Sequence, residues 1–478
     1  MTELIKSITS KPNWESKIAD TKIVNKWKHE LAAHDVNDKI LDLVLELLRD
    51  FLKKPSEYSD MDESYPWTLD IQVDNKEYSI ADECDCECNV CQQCEYKDNS
   101  DYDHDDDRSE NDRKPIECTC TEKKLVAKKQ AFVDKYIVSN PNHMSTSTDK
   151  KSPINKSLLA DFRHNIEKLR SSIEIDYHPG SNNQVIDLIH PSMYCYVKGV
   201  TQVKKFNVND EILFQWLPAE FSINKDNRVM INSYINNLDQ IEHLDLYINI
   251  ANIFEYMVPQ FNEVLRRLYY HHRIPSQMNL EKCQVIVKLA DTILTPDSPN
   301  SPPSSWHLEG LPHEKIIATG IYYYEMTNIT PSYLEFRTTL DNQVNIDYPQ
   351  DGHKYVKTHF GFSGTPRDNS FDNTGTVVDL GSVRTKEGMC LVFPNFLQHR
   401  VSNFTLSNNK KPGCRKILVF FLVDPSCKIL STANIKPQYT TMGTDDAKLY
   451  RELLMYQRKY EISDQNSFFE RGWSLCEH

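Results

Sequence analysis

Apolar residues fall on two rhythms along the chain, and the change from one to the other divides it. In VNDKILDLVLELLRDFLKK, the residues Ile40, Leu41, Val44, Leu45, Leu48 and Leu52 recur every three or four positions, the spacing that gathers them on one face of a helix. Residues from about 15 to 53 are therefore expected to be helical with a buried stripe. The same rhythm returns in EKKLVAKKQAFVDKYI and in NKSLLADFRHNIEKLRSSI, on either side of a polar stretch from Ser139 to Pro153 that has the composition of a linker. From about residue 176 the pattern shifts to short runs punctuated by Pro and Asn, interrupted by one long helical segment between Leu238 and Tyr270.

The runs QVIVKLADTIL, KIIATGIYYYEM, SYLEFRTTL, KYVKTHFGF, TVVDLGSV, MCLVFPN, HRVSNFTL and RKILVFFLV read as strands. Long helices are missing between them, so the crossovers that parallel pairing needs are not available and antiparallel pairing is expected. Eight such strands suffice for a jelly roll, in which Ile417 to Val423 would be covered on both faces. The expected fold class is α+β: a double-stranded β-helix (jelly roll, cupin-like) core with a helical N-terminal region. Its expected divisions are a helical region at 1–175 with a Cys-rich acidic insertion at 81–121, the jelly roll at 176–440, and a helical C-terminal tail at 441–478. A chain of 478 residues is long enough to carry both a large core and such elaborations.

Composition narrows the partners. With 39% hydrophobic and 26% charged residues the chain is of globular type, and 23 Pro against 13 Gly foretell many irregular connections. A formal charge of −14 repels phosphates, which disfavours nucleic acid and anionic membrane surfaces, although a local basic patch stays open. The N-terminal MTELIKSITSKPNW lacks the apolar run of a secretory signal, and the longest apolar runs are too short to span a bilayer. A cytoplasmic or nuclear protein, with no membrane partner, is expected.

Of 13 cysteines, Cys84, Cys86, Cys88, Cys91, Cys94, Cys118 and Cys120 crowd into one short acidic segment. Density of that kind suits metal thiolates in a reducing compartment better than disulfides. The spacing C-x-C-x-C-x2-C-x2-C with a later C-x-C offers more ligands than one tetrahedral zinc needs, and a structural zinc would order a segment with no apolar core. The alternative is an unstructured insertion whose cysteines are incidental. The adjoining DNSDYDHDDDRSEND, nearly devoid of apolar residues, is expected to be a mobile acidic loop.

A second metal chemistry is written in histidines. A non-haem Fe(II) centre takes two imidazoles and one carboxylate on one face of the ion, leaving positions open for cosubstrate and oxygen. An H-x-E or H-x-D pair supplies two of these ligands. With 16 His and 69 acidic residues, roughly two such pairs arise by chance. Three occur: His104-Asp106 in the acidic loop, His243-Asp245 on an amphipathic helix where a solvated face explains it, and His307-Glu309 in SSWHLEG. Only the third precedes a strand, where alternation turns both side chains to one side. His399 in FPNFLQHRVSN follows Glu309 by ninety residues and enters a strand after a Pro-Asn turn, and Arg415 lies sixteen residues further on. Ordinary hydrogen-bonded histidines and a surface arginine would fit the spacing too.

The segments SYINNLDQIEHLDLY, QVIVKLADTILTPDSP, SSWHLEGLPHEKIIATGIYYYEMTNIT, YLEFR, FPNFLQHRV and PGCRKILVFFLVDP resemble an uncharacterised eukaryotic family, common in fungi, known as domain of unknown function four-two-four-six. The likeness extends upstream to KPNWESKIADTKIVNKW and DYHPGSNNQVIDLIHPSMY, and so from about residue 10 to about residue 440. That family is in turn similar to the 2-oxoglutarate-dependent oxygenases, and the resemblance implies His307, Glu309 and His399 as ligands of Fe(II) and Arg415 as the residue holding 2-oxoglutarate. Two departures stand out: the Cys-rich insertion is outside the family pattern, and Glu309 replaces the Asp most common in the wider superfamily.

Around that site, Tyr322 and Tyr324 share a strand face opposite Tyr323, and would bind the cosubstrate, line the substrate pocket or pack in the core. Arg337 and Arg400 are weaker candidates for an anion, Arg400 pointing away from His399 by alternation. The expected activity is an Fe(II)- and 2-oxoglutarate-dependent hydroxylase or demethylase whose prime substrate the sequence does not name. Its rivals are a non-catalytic jelly-roll binding or scaffold protein and a zinc-organised interaction protein.

Overall fold

The computed structural model describes residues 8–9, 11–32, 38–53, 137–139, 154–271, 280–339, 373–375, 377–470 and 472–474. The cysteine cluster, the acidic loop, most of EKKLVAKKQAFVDKYI and the run KYVKTHFGF lie outside the described residues. The chain divides into two compact units. The first comprises residues 1–68, 136–335 and 383–468; the second comprises 69–135, 336–382 and 469–478. Every candidate iron or cosubstrate residue belongs to the first.

Five helices of the first unit follow the three-and-four rhythm: α1 (Thr21–Ala32), α2 (Asp38–Lys53), α3 (Lys156–Ser172), α4 (Leu244–His271) and α5 (Thr444–Phe469). In α2, Leu41, Val44, Leu45 and Leu48 are buried while Leu52, at the end of the stripe, is exposed. In α3 the stripe is Leu158, Phe162, Ile166 and Leu169, and Asn155 caps the helix by accepting from the backbone N–H of Leu158 at 2.6 Å.

The strands that matter for the site are β1 (Val138–Ser139), β2 (Val185–Ile189), β3 (Ala219–Ile223), β4 (Val229–Ile231), β5 (Lys282–Leu294), β6 (Ile316–Thr327), β7 (Ser332–Thr339), β8 (Val377–Thr385), β9 (Cys390–Pro394), β10 (Gln398–Val401) and β11 (Gly413–Val423). Eight of them form a large sheet in the order β1–β9–β6–β11–β5–β3–β4, with β2 also paired to β5. Among the described residues its strand pairings are all antiparallel. A smaller sheet has the order β8–β7–β10. The protein is thus a mixed α+β structure built on a large antiparallel sheet. Along β11, Leu418 to Val423 are all buried, as the apolar run demands.

One face of the large sheet is packed by helices. A side-chain carbon at Gly320 would sit 2.6 Å from Phe261 Cζ and 2.8 Å from Met257 Cε of α4, so only glycine lets β6 and the helix approach this closely. Phe254 of α4 meets Phe221 of β3 at 5.1 Å and Phe420 of β11 at 5.0 Å between ring centroids. Alternation then assigns the faces: Gly320, Tyr322 and Tyr324 look toward the helices, and Thr319, Ile321 and Tyr323 look the other way. Phe393 of β9 pairs with Thr319 and shares that second face. Residues 373–375 and 472–474 form a separate antiparallel pair in the second unit.

Candidate metal centre

His307 and His399 are joined through their backbones. The N–H of each donates to the carbonyl of the other, at 3.2 and 3.1 Å, an isolated antiparallel bridge that sets the two rings 4.5 Å apart. Glu309 follows on the same side of the extended segment. Its backbone is fixed by Asn395, whose Oδ1 accepts from Glu309 N at 2.9 Å and whose Nδ2 donates to Glu309 O at 2.8 Å. Gly310 then takes a positive φ of 79°, and a side-chain carbon there would lie 2.5 Å from Ile316 Cδ1. The HLEG sequence therefore needs its glycine to let the chain turn into β6.

The three side chains converge. Glu309 Oε1 stands 3.2 Å from His399 Nε2 and 3.6 Å from His307 Nε2. The ring orientation follows from the other nitrogen: His307 Nδ1 donates to the Ser305 carbonyl at 2.7 Å, and His399 Nδ1 faces the Leu397 carbonyl at 3.5 Å. An imidazole whose Nδ1 carries the proton presents a lone pair at Nε2, which is the tautomer a metal ligand needs. Ligands bound at about 2.1 Å and at right angles on one face of an ion stand about 3 Å apart, close to the observed spacing. The donor set fits Fe(II).

Charge agrees with geometry. Burial works against ionisation of Glu309, but the hydrogen bonds and positive character of His307 and His399 hold its carboxyl well below the usual range. For His307, burial lowers and the Glu309 hydrogen bond and charge raise, with a net upward displacement. His399 is pushed down by burial and by the neighbouring His307. One carboxylate held between two imidazoles is the charge a divalent cation would complement.

Arg415 is buried, 4% exposed, on β11. Its guanidinium lies 5.0 Å from the centre of the Tyr323 ring, with one terminal nitrogen 3.5 Å from the Tyr323 hydroxyl. Its Nε has no hydrogen-bond partner among the described residues. No carboxylate among the described residues pairs with its guanidinium, and a buried charge of this kind is costly unless an anion meets it. The face that bears Tyr323 also bears Phe393, whose ring is 4.8 Å from that of His399.

The tyrosine beside Arg415 comes from the other parity of β6. Tyr324 donates to Asp291 and packs edge-on to Phe162 of α3, Arg170 pairing with the same Asp291; Tyr322 is fully buried on that helical side. Tyr323, absent from the sequence-based candidates, is the one beside Arg415. Gly320 two residues before Tyr322 was the available signal. Arg400 donates to Glu335 at 2.6 Å and lies 4.5 Å over Trp306, and Arg337 pairs with Glu470 at 3.0 Å. His243 is buried just ahead of α4, its Nε2 3.5 Å from Ser172 Oγ, rather than on a solvated face. Cys84, Cys86, Cys88, Cys91, Cys94, Cys118 and Cys120, like His104 and Asp106, lie outside the described residues.

A second cluster has the same composition. His178, Asp187 and His190 bring their ligand atoms within 4.8 Å of one another. Here the hydrogen bonds point the opposite way. His190 Nδ1 accepts from the backbone N–H of Ser192 at 3.1 Å, so the proton sits on Nε2, directed at Asp187 Oδ2 3.7 Å away. His178 Nδ1 also turns to Asp187 Oδ2, at 2.9 Å. The positive charges of Lys288 and Arg451 reach His190 as well. Each cluster has two histidines and one carboxylate, and they differ in how the rings are held: His307 turns Nδ1 to a backbone carbonyl, whereas His190 Nδ1 accepts from a backbone N–H.

A family model described as "Protein of unknown function (DUF4246)" matches residues 116–282 and 268–446, and one described as "Domain of unknown function DUF4246, N-terminal" matches residues 1–30. The chain belongs to this family. In this DUF4246 protein the family description names no activity. No curated protein matches it. Solved structures similar to it include the Fe(II)/(alpha)ketoglutarate-dependent dioxygenase TqaL, at 10% identity and TM-score 0.31, covering 66% of this chain and 93% of that one. IDO from Bacillus thuringiensis has 10% identity and TM-score 0.32, covering 63% and 95%. The epimerase SnoN in complex with Fe3+, alpha ketoglutarate and nogalamycin RO has 9% identity and TM-score 0.26, covering 63% and 84%. At such identities and TM-scores the likeness does not bear on what this chain does. Among the described residues no helix is long and apolar enough to cross a membrane.

Proposed function

We propose that this DUF4246 protein is an Fe(II)- and 2-oxoglutarate-dependent oxygenase, hydroxylating or demethylating a prime substrate. The observation that carries the reading is the convergence of His307 Nε2, Glu309 Oε1 and His399 Nε2, with the His307 Nδ1 proton committed to a backbone carbonyl. The strand orders support a jelly roll around it. Strands β5, β11, β6 and β9 lie side by side in the large sheet, and β8, β7 and β10 form the small one, extended by the His307 bridge.

When bound, iron would supply the redox chemistry by which 2-oxoglutarate and oxygen become succinate and carbon dioxide while one oxygen atom passes to the substrate. The chain's own residues do the rest. His307, Glu309 and His399 would hold the ion. Arg415 offers a planar guanidinium to the far carboxylate of the keto acid, with Tyr323 packed along it. Phe393, on the wall beside His399, helps exclude water.

Succinate release in the presence of Fe(II), ascorbate and 2-oxoglutarate tests the reading. The parent should form succinate and take up one ferrous equivalent under anaerobic loading. His307→Ala and His399→Ala should lose both, while Asp187→Asn should retain the metal. Full iron occupancy in His399→Ala would refute the ligand assignment, and iron uptake without succinate would favour a binding protein on the same scaffold.

A further inference from the structure

The segments carrying the ligands are tied to α5 by two adjacent residues. Asn466 Nδ2 donates to the carbonyl of Trp306, the residue before His307, at 3.3 Å; its Oδ1 accepts from the side chain of Gln398, the residue before His399, at 3.1 Å. Next to it, Gln465 Oε1 accepts from the backbone N–H of Leu308, between His307 and Glu309, at 3.3 Å. Gln398 is fully buried and Gln465 nearly so. The helix is itself held in place, through Arg451 to Asp176 and Arg458 to Glu314.

From this arrangement we infer that Asn466 and Gln465 are positioning residues for the iron ligands. The inference rests on the functional reading above. The bridge between His307 and His399 consists of two backbone hydrogen bonds, which fix register but leave the segments able to twist about one another. A contact away from that axis removes the twist. Asn466 is suited to it because one short, planar amide carries a donor for the carbonyl of one segment and an acceptor for the amide of the other. Gln465 adds a hold on the peptide between the first two ligands. Partners behind metal ligands of this kind control affinity by fixing where the ligands point.

Anaerobic titration with Co(II), whose visible absorption reports coordination, tests the inference on the full chain. Asn466→Leu should weaken Co(II) binding by on the order of tenfold to a hundredfold and change the visible spectrum, with the thermal midpoint near that of the parent. Asn466→Asp keeps the acceptor for Gln398 and loses the donor to Trp306, so it should fall between. Tyr460→Phe, on the same helix and hydrogen-bonded through its hydroxyl to Tyr456, serves as a reference for generic change in α5. Parent affinity and parent spectrum in Asn466→Leu would overturn the inference; should that variant not fold, the same result in Asn466→Asp, of equal size, would do so. A parent that takes up no Co(II) overturns the functional reading and this inference together. Equal binding by parent and variant overturns this inference alone.

Discussion

Arg415 and Lys416 are sequence neighbours with unlike surroundings. Lys416 pairs with Glu325 at 3.0 Å, whereas Arg415 is buried beside Tyr323 with an unanswered Nε. Arg415→Met keeps bulk and removes the planar donor, so affinity for 2-oxoglutarate in an anaerobic titration with iron should fall by on the order of tenfold to a thousandfold. Iron affinity should barely change, and Lys416→Met should leave both close to the parent. An Arg415→Met protein that binds 2-oxoglutarate as tightly as the parent would detach Arg415 from the site. At this scale the H-x-E pair and His399, whose ligand atoms the structure brings together, were singled out by their places beside expected strands and by the family resemblance, and the role of Arg415 is a proposal. Tyr323 was not, since alternation shows that two tyrosines share a face without saying which face meets a helix. Asn395 and Asn466 were not legible either, because a side-chain amide that braces a distant backbone leaves no periodic trace.

Among the elements, α4 against β6 and α5 against the chain before β6 carry the clearest mechanical demands. Gly320→Ala places a methyl 2.6 Å from the rigid Phe261 ring. The unfolding free energy in urea should drop by about 1–3 kcal/mol, as overpacking of a close interface does. Glu314 has no exposed side-chain surface; it accepts 2.7 Å bonds from Arg458, and backbone N–H groups of Trp216 and Leu311 donate to it at 2.6 and 2.7 Å. Arg458→Met strands that carboxylate without its cation and removes a guanidinium lying 3.5 Å over Trp216. A loss of about 3 kcal/mol is expected by the same measurement, and an unchanged denaturation midpoint would show that the pair contributes little. The long strands were readable from sequence as apolar runs with few breaks. Short β3 and β4 were not singled out, because three to five residues between Asn and Pro carry too little periodicity to separate a strand from a loop.

For the molecule as a whole, the α+β character was readable from the shift in rhythm near residue 176, and the antiparallel sheet from the absence of crossover helices. The strand order was not, since it depends on which apolar faces meet. The seven clustered cysteines lie outside the described residues, and zinc binding there is a proposal. Deleting residues 84–120 should leave iron and 2-oxoglutarate affinity near the parent values if the segment is an appended module. Loss of iron from the deleted protein would show that the two metal chemistries depend on each other.

The backbone bridge between His307 and His399, braced by Asn466, also has a consequence in time. Ribosomal synthesis releases the chain from its N-terminus, and residue 307 emerges long before residues 399 and 466. During that interval His307 and Glu309 have neither the third ligand nor the brace, and a two-ligand pair retains a divalent ion poorly. Contacts of such wide sequence separation also form late in folding. Under the proposed function, iron loading would belong to the finished polypeptide, and a ribosome-bound chain halted short of residue 399 should expose no closed iron site.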